Sequence, residues 1–423
     1  MNSTLYRLFA LLWLVAAVPA VAEQTLDTPT LERRELVRAV LERNPSIEAA
    51  RQAWRAAAER EEQVTALADP RLSTSIAPLS IGGDRFGASI EASQMLPFPG
   101  KRRLRGAIAR AEADAARNDF EAVQLELATM ASLLFDEHYR VARALAINKE
   151  HQELLAILKE SAEAQYVVGR ASLQDPLQAE VELAHLMHRD IVLGTERDAV
   201  RAQINELLHR PPEAPVPPPP VSLSEPDIPG SSAELQEIAL TSRPVLDGAE
   251  ARIRARESAT DLARLDFYPD FHVMGSYNSM WMSTDHQWMA GIGIELPVQR
   301  EKRRAAVREA EARLAAARSE KKSFEDQIRS QVDQAYRAAV EAQHVVALHR
   351  DRLVPAARDQ VQAARAGFET GRNSFLAVIE AERNLRTVEL QLVDVTAALH
   401  QRLARLDRAT GRMPVNIDNG GMQ

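Results

Sequence analysis

From Ala107 to Val168 the sequence contains neither glycine nor proline; Gly106 precedes this run and Gly169 closes it. Alanine, glutamate, leucine and arginine dominate it, and all four favour helix. Its larger apolar residues step by four and three through Val123, Leu127, Met130 and Leu134, then Val141 and Leu145, which is the seam of a coiled coil. At 1.5 Å per residue such a helix reaches roughly 90 Å, well beyond what a compact domain covers. It demands neighbours along its whole length.

Composition agrees with helix, since 17 glycines and 5% aromatic residues in a chain of 423 argue against a sheet-rich enzyme. The 52 basic and 60 acidic residues are interspersed, leaving a formal charge of -8 and no basic block for nucleic acid. With no cysteine, disulfides, thiolate metal sites and lipidation of an N-terminal cysteine are excluded. Residues 1–22 carry Arg7, the apolar run Leu8 to Val18 and then Ala20-Val21-Ala22, the layout of a signal peptide cleaved before Glu23. The competing reading, a retained anchor, falls short of the roughly 20 apolar residues that a spanning helix needs. No other stretch is apolar enough to be a membrane helix, so any membrane insertion requires strands.

Thr30 to Leu67 reads as one helix with Asn44-Pro45 in its first third. Arg71 to Ala77 and Phe86 to Leu96, interrupted by Pro78 and Gly82-Gly83, read as a strand hairpin over about 71–96. Pro97-Phe98-Pro99-Gly100 ends it, the long helix occupies about 101–168, and a second helix runs over about 173–208. Seven prolines in ten positions from Pro211 to Pro220 make a stiff connector within a linker at 211–230.

Beyond the linker the same landmarks return. Pro45 and Pro244 are 199 residues apart, as are Pro70 and Pro269; Pro97 and Pro297 are separated by 200, and Gly169 and Gly371 by 202. The chain is a duplicated unit. The first copy spans 23–210; the second spans 231–411, with a strand hairpin about 270–296, a long helix about 298–366 and a final helix about 375–410, followed by a tail at 412–423. The expected fold is mainly α with a small β part: helix, β-hairpin, long helix, turn and helix, twice over, in long antiparallel coiled-coil helices. The two shorter helices of a copy can stack end to end beside its long one, leaving the hairpin at one end and the glycine turn at the other. Pro355 predicts a bend in the second long helix.

The hairpins point to a membrane. Ala290, Ile292, Ile294 and Leu296 alternate with Met289, Gly291, Gly293 and Glu295; on the partner strand Phe271, Val273, Tyr277 and Trp281 alternate with His272, Met274, Asn278 and Met280. One face is apolar and the other polar or small, over about the ten residues that a tilted strand needs to cross a bilayer. Trp281, Trp288 and Tyr268 lie near strand ends, where interfacial aromatics belong. The alternative is an ordinary soluble hairpin packed on the helices. Four strands cannot close a barrel or leave their edges in lipid, so in a membrane several protomers share one.

These residues resemble the TolC-type outer-membrane efflux family across about Thr30 to Gly411. The resemblance is carried by the duplicated layout, by the turns Gly169-Arg170-Ala171-Ser172-Leu173 and Gly371-Arg372-Asn373-Ser374-Phe375, and by Gln94-Met95-Leu96-Pro97-Phe98-Pro99-Gly100-Lys101-Arg102. The last stretch is similar to the branch serving heavy-metal efflux. The resemblance implies a homotrimer with four transmembrane strands per protomer, a 12-stranded β-barrel in the cell outer membrane, and an α-helical tunnel continuing through the periplasm. It implies a passive exit duct of a tripartite efflux pump, with a periplasmic adaptor and an inner-membrane pump of the resistance-nodulation-division type as partners. Adaptor docking would map onto Val168, Gly169, Arg170 and Ala171, and onto Thr370, Gly371, Arg372 and Asn373. The family's acidic gate rings fall on Ala377 and Glu380, so one acid is missing; Asp175 and Gln178 are the corresponding positions of the first copy. Asp175 and Glu380 are therefore the gate candidates; the alternative is that each is a solvated surface carboxylate.

Other motifs carry less. Pro99-Gly100-Lys101-Arg102 lacks the second glycine of a phosphate loop, so its basic cluster reads as meeting the lipid or strand boundary. His272, Met274, Met280, Met282, His286 and Met289 crowd the second hairpin in the lumen or loop; they suit a soft metal, or simply fill gaps. His185 and His188 share a helix face without the carboxylates of a catalytic metal site. No nucleophile and base pair marks an enzyme, and no cofactor is implied. Three functions stay open: a duct for heavy-metal ions, a duct for drugs or other organic compounds, and a soluble periplasmic coiled-coil scaffold or adaptor.

Overall fold

The computed structural model describes residues 29–77, 87–279 and 287–414. The expected signal peptide, Pro78, Gly82, Gly83 and Phe86 of the first hairpin, Met280, Trp281, Met282 and His286 of the second, and the tail beyond residue 414 lie outside the described residues. Helices α1 (Arg33–Arg43) and α2 (Pro45–Thr65) lead into strands β1 (Arg71–Ala77) and β2 (Gly87–Leu96), then α3 (Lys101–Val167) and α4 (Gln174–Leu207). The order recurs as α5 (Ser232–Ser242), α6 (Pro244–Leu265), β3 (Asp270–Asn278), β4 (Trp288–Glu295), α7 (Arg300–Leu348), α8 (Val354–Glu369) and α9 (Phe375–Thr410).

The single helix expected over Thr30 to Leu67 is two. A residue before proline is pushed out of the helical region; Asn44 is accordingly extended, and its side-chain oxygen accepts the Ser46 N–H at 2.9 Å, capping α2. Arg243 before Pro244 divides α5 from α6 in the same way. At Pro355, where a bend is expected, the α-helix is interrupted. Proline offers no N–H and its ring crowds the carbonyl four residues back. The helix answers with one π-helical turn, His349–Leu353, closed by the Val354 N–H donating to the His349 carbonyl, and continues as α8.

At 67 residues, α3 is about 100 Å long. It packs against α1, α2 and α4 of its own half and against α6 and α9 of the other. Surrounded in this way, its buried residues do not follow one seam: Leu127 and Val141 are buried, but Met130 is 43% exposed while Ala128, Ala131 and Phe135 are sealed. Near the strands Gly106 allows α2 to approach so closely that a Cβ there would meet Thr65 Cγ2 at 2.7 Å.

Midway along the rod, Arg33 of α1 ties three elements together. Its guanidinium donates to both Asp136 oxygens at 2.7 and 3.1 Å, lies 3.1 Å from His400 Nδ1 on α9, and sits 5.0 Å from the Phe135 ring centre. Arg33, Asp136 and His400 are at most 1% exposed. The proline connector is laid over this region: the Leu31 N–H donates to the Pro218 carbonyl, His138 Nε2 is 2.9 Å from the Pro217 carbonyl, and Asn205 Nδ2 donates to the Pro212 and Ala214 carbonyls.

The two hairpins join edge to edge into one antiparallel sheet, ordered β1-β2-β3-β4, with Leu96 opposite Phe271 and Ser89 opposite Asn278 across the central pair. At its base the Pro97–Arg102 corner binds the second hairpin. Phe98 N–H donates to Asp270 Oδ1 at 2.7 Å, the Phe98 ring stacks on Tyr268 at 4.7 Å, and Lys101 Nζ reaches Asp270 Oδ1 at 3.0 Å and Asp266 Oδ1 at 3.3 Å. Lys101 is 3% exposed. Of the two boundaries expected for this basic cluster, lipid or strand, Lys101 meets the strand boundary: its buried ammonium pairs with Asp270, the first residue of β3.

Two outcomes follow for stability. Asp270→Ala leaves the Lys101 ammonium buried without its nearer carboxylate and costs roughly 3 kcal/mol; urea unfolding of the detergent-solubilised protein measures it, and the double variant Lys101→Met, Asp270→Ala should recover most of the loss. The second concerns pH. Burial and the charge of Arg33 lower the His400 pKa to about 3, so its contribution is intact above about pH 6.5 and lost as pH falls toward 3. Burial raises the Asp407 pKa to about 7, so its contribution is present below about pH 4 and lost as pH rises toward 7. Between about pH 4 and 6.5 the two slopes, each about 1.4 kcal/mol per pH unit, oppose one another. Asp407→Asn should therefore lose melting temperature on acidification more steeply than the parent, and His400→Gln less steeply.

Candidate membrane sheet and docking tip

Directly paired residues lie on the same face of a sheet, so the register sorts the strands without ambiguity. Leu72, Thr74 and Ile76 of β1 align with Ala92, Ile90 and Ala88 of β2; Ile90, Gln94 and Leu96 align with Tyr277, Val273 and Phe271 of β3; Tyr277, Val273 and Phe271 align with Trp288, Ile292 and Ile294 of β4. This face is apolar except at Thr74 and Gln94, and it is uncovered: Leu72 is 69% exposed, Ile292 76% and Trp288 75%. Apart from their base, the strands pack only on one another. The soluble reading, in which the hairpins pack on the helices, fails on this point. A contiguous apolar face of this kind needs another surface or lipid against it.

The opposite face carries Ser73, Ser75, Ser89, Glu91, Ser93, Met95, Asp270, His272, Met274, Ser276, Met289 and Glu295, with Gly291 and Gly293 between them. His272, Met274 and Met289 therefore share the polar face. β1 and β4 each have a second edge without a neighbouring strand among the described residues. No helix of the described residues is long and apolar enough to cross a membrane.

The far end of the rod holds the two glycine turns, and they are built alike. Gly169 has φ +72 and Gly371 φ +73. The Gly169 N–H donates to the Tyr166 carbonyl at 2.9 Å and the Arg170 N–H to that of Gln165 at 2.8 Å; Gly371 and Arg372 repeat these bonds to Phe368 and Gly367 at the same distances. This is the paired closure of a Schellman end, which needs the left-handed backbone that glycine adopts freely. A Cβ at either glycine would meet nothing within 4 Å, so the requirement is conformational rather than steric. Around the turns Val167 is 81% exposed, Val168 66% and Leu173 52%. Thr370 Oγ1 donates to the Ala366 carbonyl and accepts from Arg372 Nε at 3.2 Å; Asn373 N–H donates to the Gly367 carbonyl at 3.0 Å, while Ala171 follows Arg170 out of the first turn. Asp175 lies in the first turn of α4, and Glu380, exposed, in the second turn of α9.

Between the tip and the middle of the rod, an ionic web joins the helices that sequence reading left unconnected. Glu182 of α4, 3% exposed, accepts from Arg383 at 2.6 Å and Arg386 at 3.1 Å on α9. Arg365 of α8 donates to Glu382 of α9 at 2.9 Å; Arg358 of α8 and His151 of α3 meet on Glu389 at 3.0 and 3.1 Å. The hydrogen bond from His151, with help from Arg358, holds the Glu389 carboxyl below its ordinary range. The Glu182 and His151 pairs join residues more than 200 positions apart in different copies, so only the two-copy packing reveals them, whereas the Arg365 and Arg358 pairs tie α8 to α9 within the second copy. His185 and His188 sit in a groove of about 600 Å³ whose other charged walls include Arg383 and Arg386, and the described residues contain no group of three or more His, Cys, Asp or Glu able to hold a metal.

Residues 235–412 match the sequence model of the family described as outer membrane efflux protein. A search of curated proteins found no significant match. Among solved structures the chain is similar to CusC, at 20% identity and a TM-score of 0.77 over 90% of this chain and 92% of that one. It is also similar to the outer membrane protein VceC of Vibrio cholerae, at 18% and 0.76 over 90% and 96%, and to the outer-membrane channel OprN, at 21% and 0.74 over 90% of each. The second half of the chain thus carries that family's sequence pattern, and nine tenths of its length has the fold of these outer-membrane channels.

Proposed function

We propose that this chain works as a homotrimer, the exit duct of a tripartite efflux pump whose cargo is heavy-metal ions. The uncovered apolar face of a sheet with two unpaired edges carries this reading. Three such sheets joined β1 to β4 close a 12-stranded barrel, satisfy every edge and turn the apolar face to lipid. A second exposed apolar stripe, Leu173, Leu177, Val181, Met187 and Ile191, runs along one side of α4 away from its buried Ala179, Leu186 and Leu193. It suits a neighbouring protomer, since residues at this spacing share one face of a helix. The rod then continues the barrel as a periplasmic tunnel about 100 Å long.

Adaptor docking falls on Val168, Gly169, Arg170 and Ala171 and on Thr370, Gly371, Arg372 and Asn373. Exposed apolar side chains beside two rigid turns favour a partner there rather than solvent. Asp175 and Glu380 form the gate: threefold symmetry would gather six carboxylates near the axis, which favours cations over anions. Heavy-metal ions fit such a mouth and the Glu91, His272 and Glu295 side chains on the polar sheet face.

Substituting Gly169 or Gly371 by valine imposes roughly 1–2 kcal/mol of left-handed strain on the turn alone. Export, read as metal tolerance of a complemented deletion strain, should be lost while the trimer persists on native gels; unchanged tolerance in both variants argues against tip docking. In planar bilayers the parent channel should prefer cations, and Asp175→Asn combined with Glu380→Gln should shift the reversal potential toward zero.

A further inference from the structure

We infer that each chain carries a soft-metal site for Cu(I) or Ag(I) on the polar face of its sheet, made by Met95, His272 and Met274. The inference rests on the exit-duct reading with metal cargo and specifies which ions the wall would hold. The β2–β3 register puts Met95 directly opposite His272, a relation that brings Cβ atoms to about 4.5–5.5 Å. Met274 follows two residues along β3, on the same face. The first of these residues belongs to the first copy and the others to the second, and their spacing in sequence shows no ligand pattern.

Space around the three is provided by backbone alone. On β4 the partners of His272 and Met274 are Gly293 and Gly291. The Met274 side chain reaches over both: its Cγ and Sδ lie 3.2 and 3.5 Å from the point a Gly291 Cβ would take. Its methyl lies 3.8 Å from the corresponding point at Gly293, which His272 Cβ approaches to 3.5 Å. Met274 thus folds toward the base of His272. Glu295 Oε2 is 3.6 Å from His272 Nε2, a carboxylate placed to orient the ring and add negative charge.

Thioethers in a core usually fill gaps. Met95 and Met274 are each 39% exposed on a face whose other residues are mainly serine, glycine and acids, with Arg71, Asn278 and Met289 among them, and where there is no core to fill. Two thioethers and an imidazole form a soft donor set, which selects Cu(I) or Ag(I) over Zn(II) or Mg(II). Because the donors are partly exposed and few, an ion stops briefly, as conduction through a pore requires.

The test uses the purified oligomer in detergent with carbon-13 methionine methyls, assigned by single Met→Leu variants, and Ag(I) as a redox-stable probe. The Met95 and Met274 methyl signals should move saturably with Ag(I) and stay in place with equal Zn(II). Met95→Leu with Met274→Leu, a swap of similar volume that cores and surfaces tolerate, should weaken Ag(I) uptake at least tenfold while the oligomer stays intact. Signals that do not move, or uptake unchanged in the double variant, overturn the site. Growth of a complemented deletion strain on silver is read separately: absence of protection by the parent chain overturns the metal-cargo reading, whereas the methyl shifts alone decide the site.

Discussion

Every backbone N–H and C=O, and every large apolar side chain, must end up against something that suits it; in this molecule one chain cannot arrange that for its own sheet. Four strands of seven to ten residues pair along their length, yet two edges stay open and one whole face of Leu, Ile, Val, Phe, Tyr and Trp has no helix over it. In water this is an aggregation surface; in lipid with copies alongside, it is a wall. The rest of the architecture serves to hold this ribbon at the end of a rod.

The rod works because α3 is shared. Helices of both copies lie against it, and the Arg33, Asp136 and His400 cluster fastens α1, α3 and α9 where two halves meet. A buried pair of this kind contributes little net stability compared with apolar packing, but either charge alone would be costly, so it favours one arrangement of the halves over others. The connector, which its prolines make stiff, contributes carbonyls to this centre instead of dangling across it. Pro355 shows the same economy: one widened turn between α7 and α8 accommodates the residue that has no N–H to donate.

Much of the site is legible in the residues themselves, and for physical reasons that act over a few positions. The period-two alternation of Phe271 to Tyr277 and of Ala290 to Ile294 is set by the pleat, so the apolar face could be named before its surroundings were known. Gly169 and Gly371 are readable because a left-handed helix end nearly demands glycine. Met130 defeated such reasoning, since a helix with neighbours on several sides has no single seam. The partner of Lys101 escaped it too, because Asp270 lies 169 residues away.

What the chain alone decided is therefore local and periodic: helix over 101–167, alternating strands, glycine turns, and the twofold copy that repeats them. Each follows from backbone sterics or side-chain period within a few residues. Tertiary structure decided what depends on contacts between distant segments: the β2–β3 junction that fuses two hairpins into one sheet, the placing of Met95 against His272, and the Glu182 to Arg383 and Arg386 web across α4 and α9. No local spacing encodes those pairings, because they arise only when two copies are laid along one long helix.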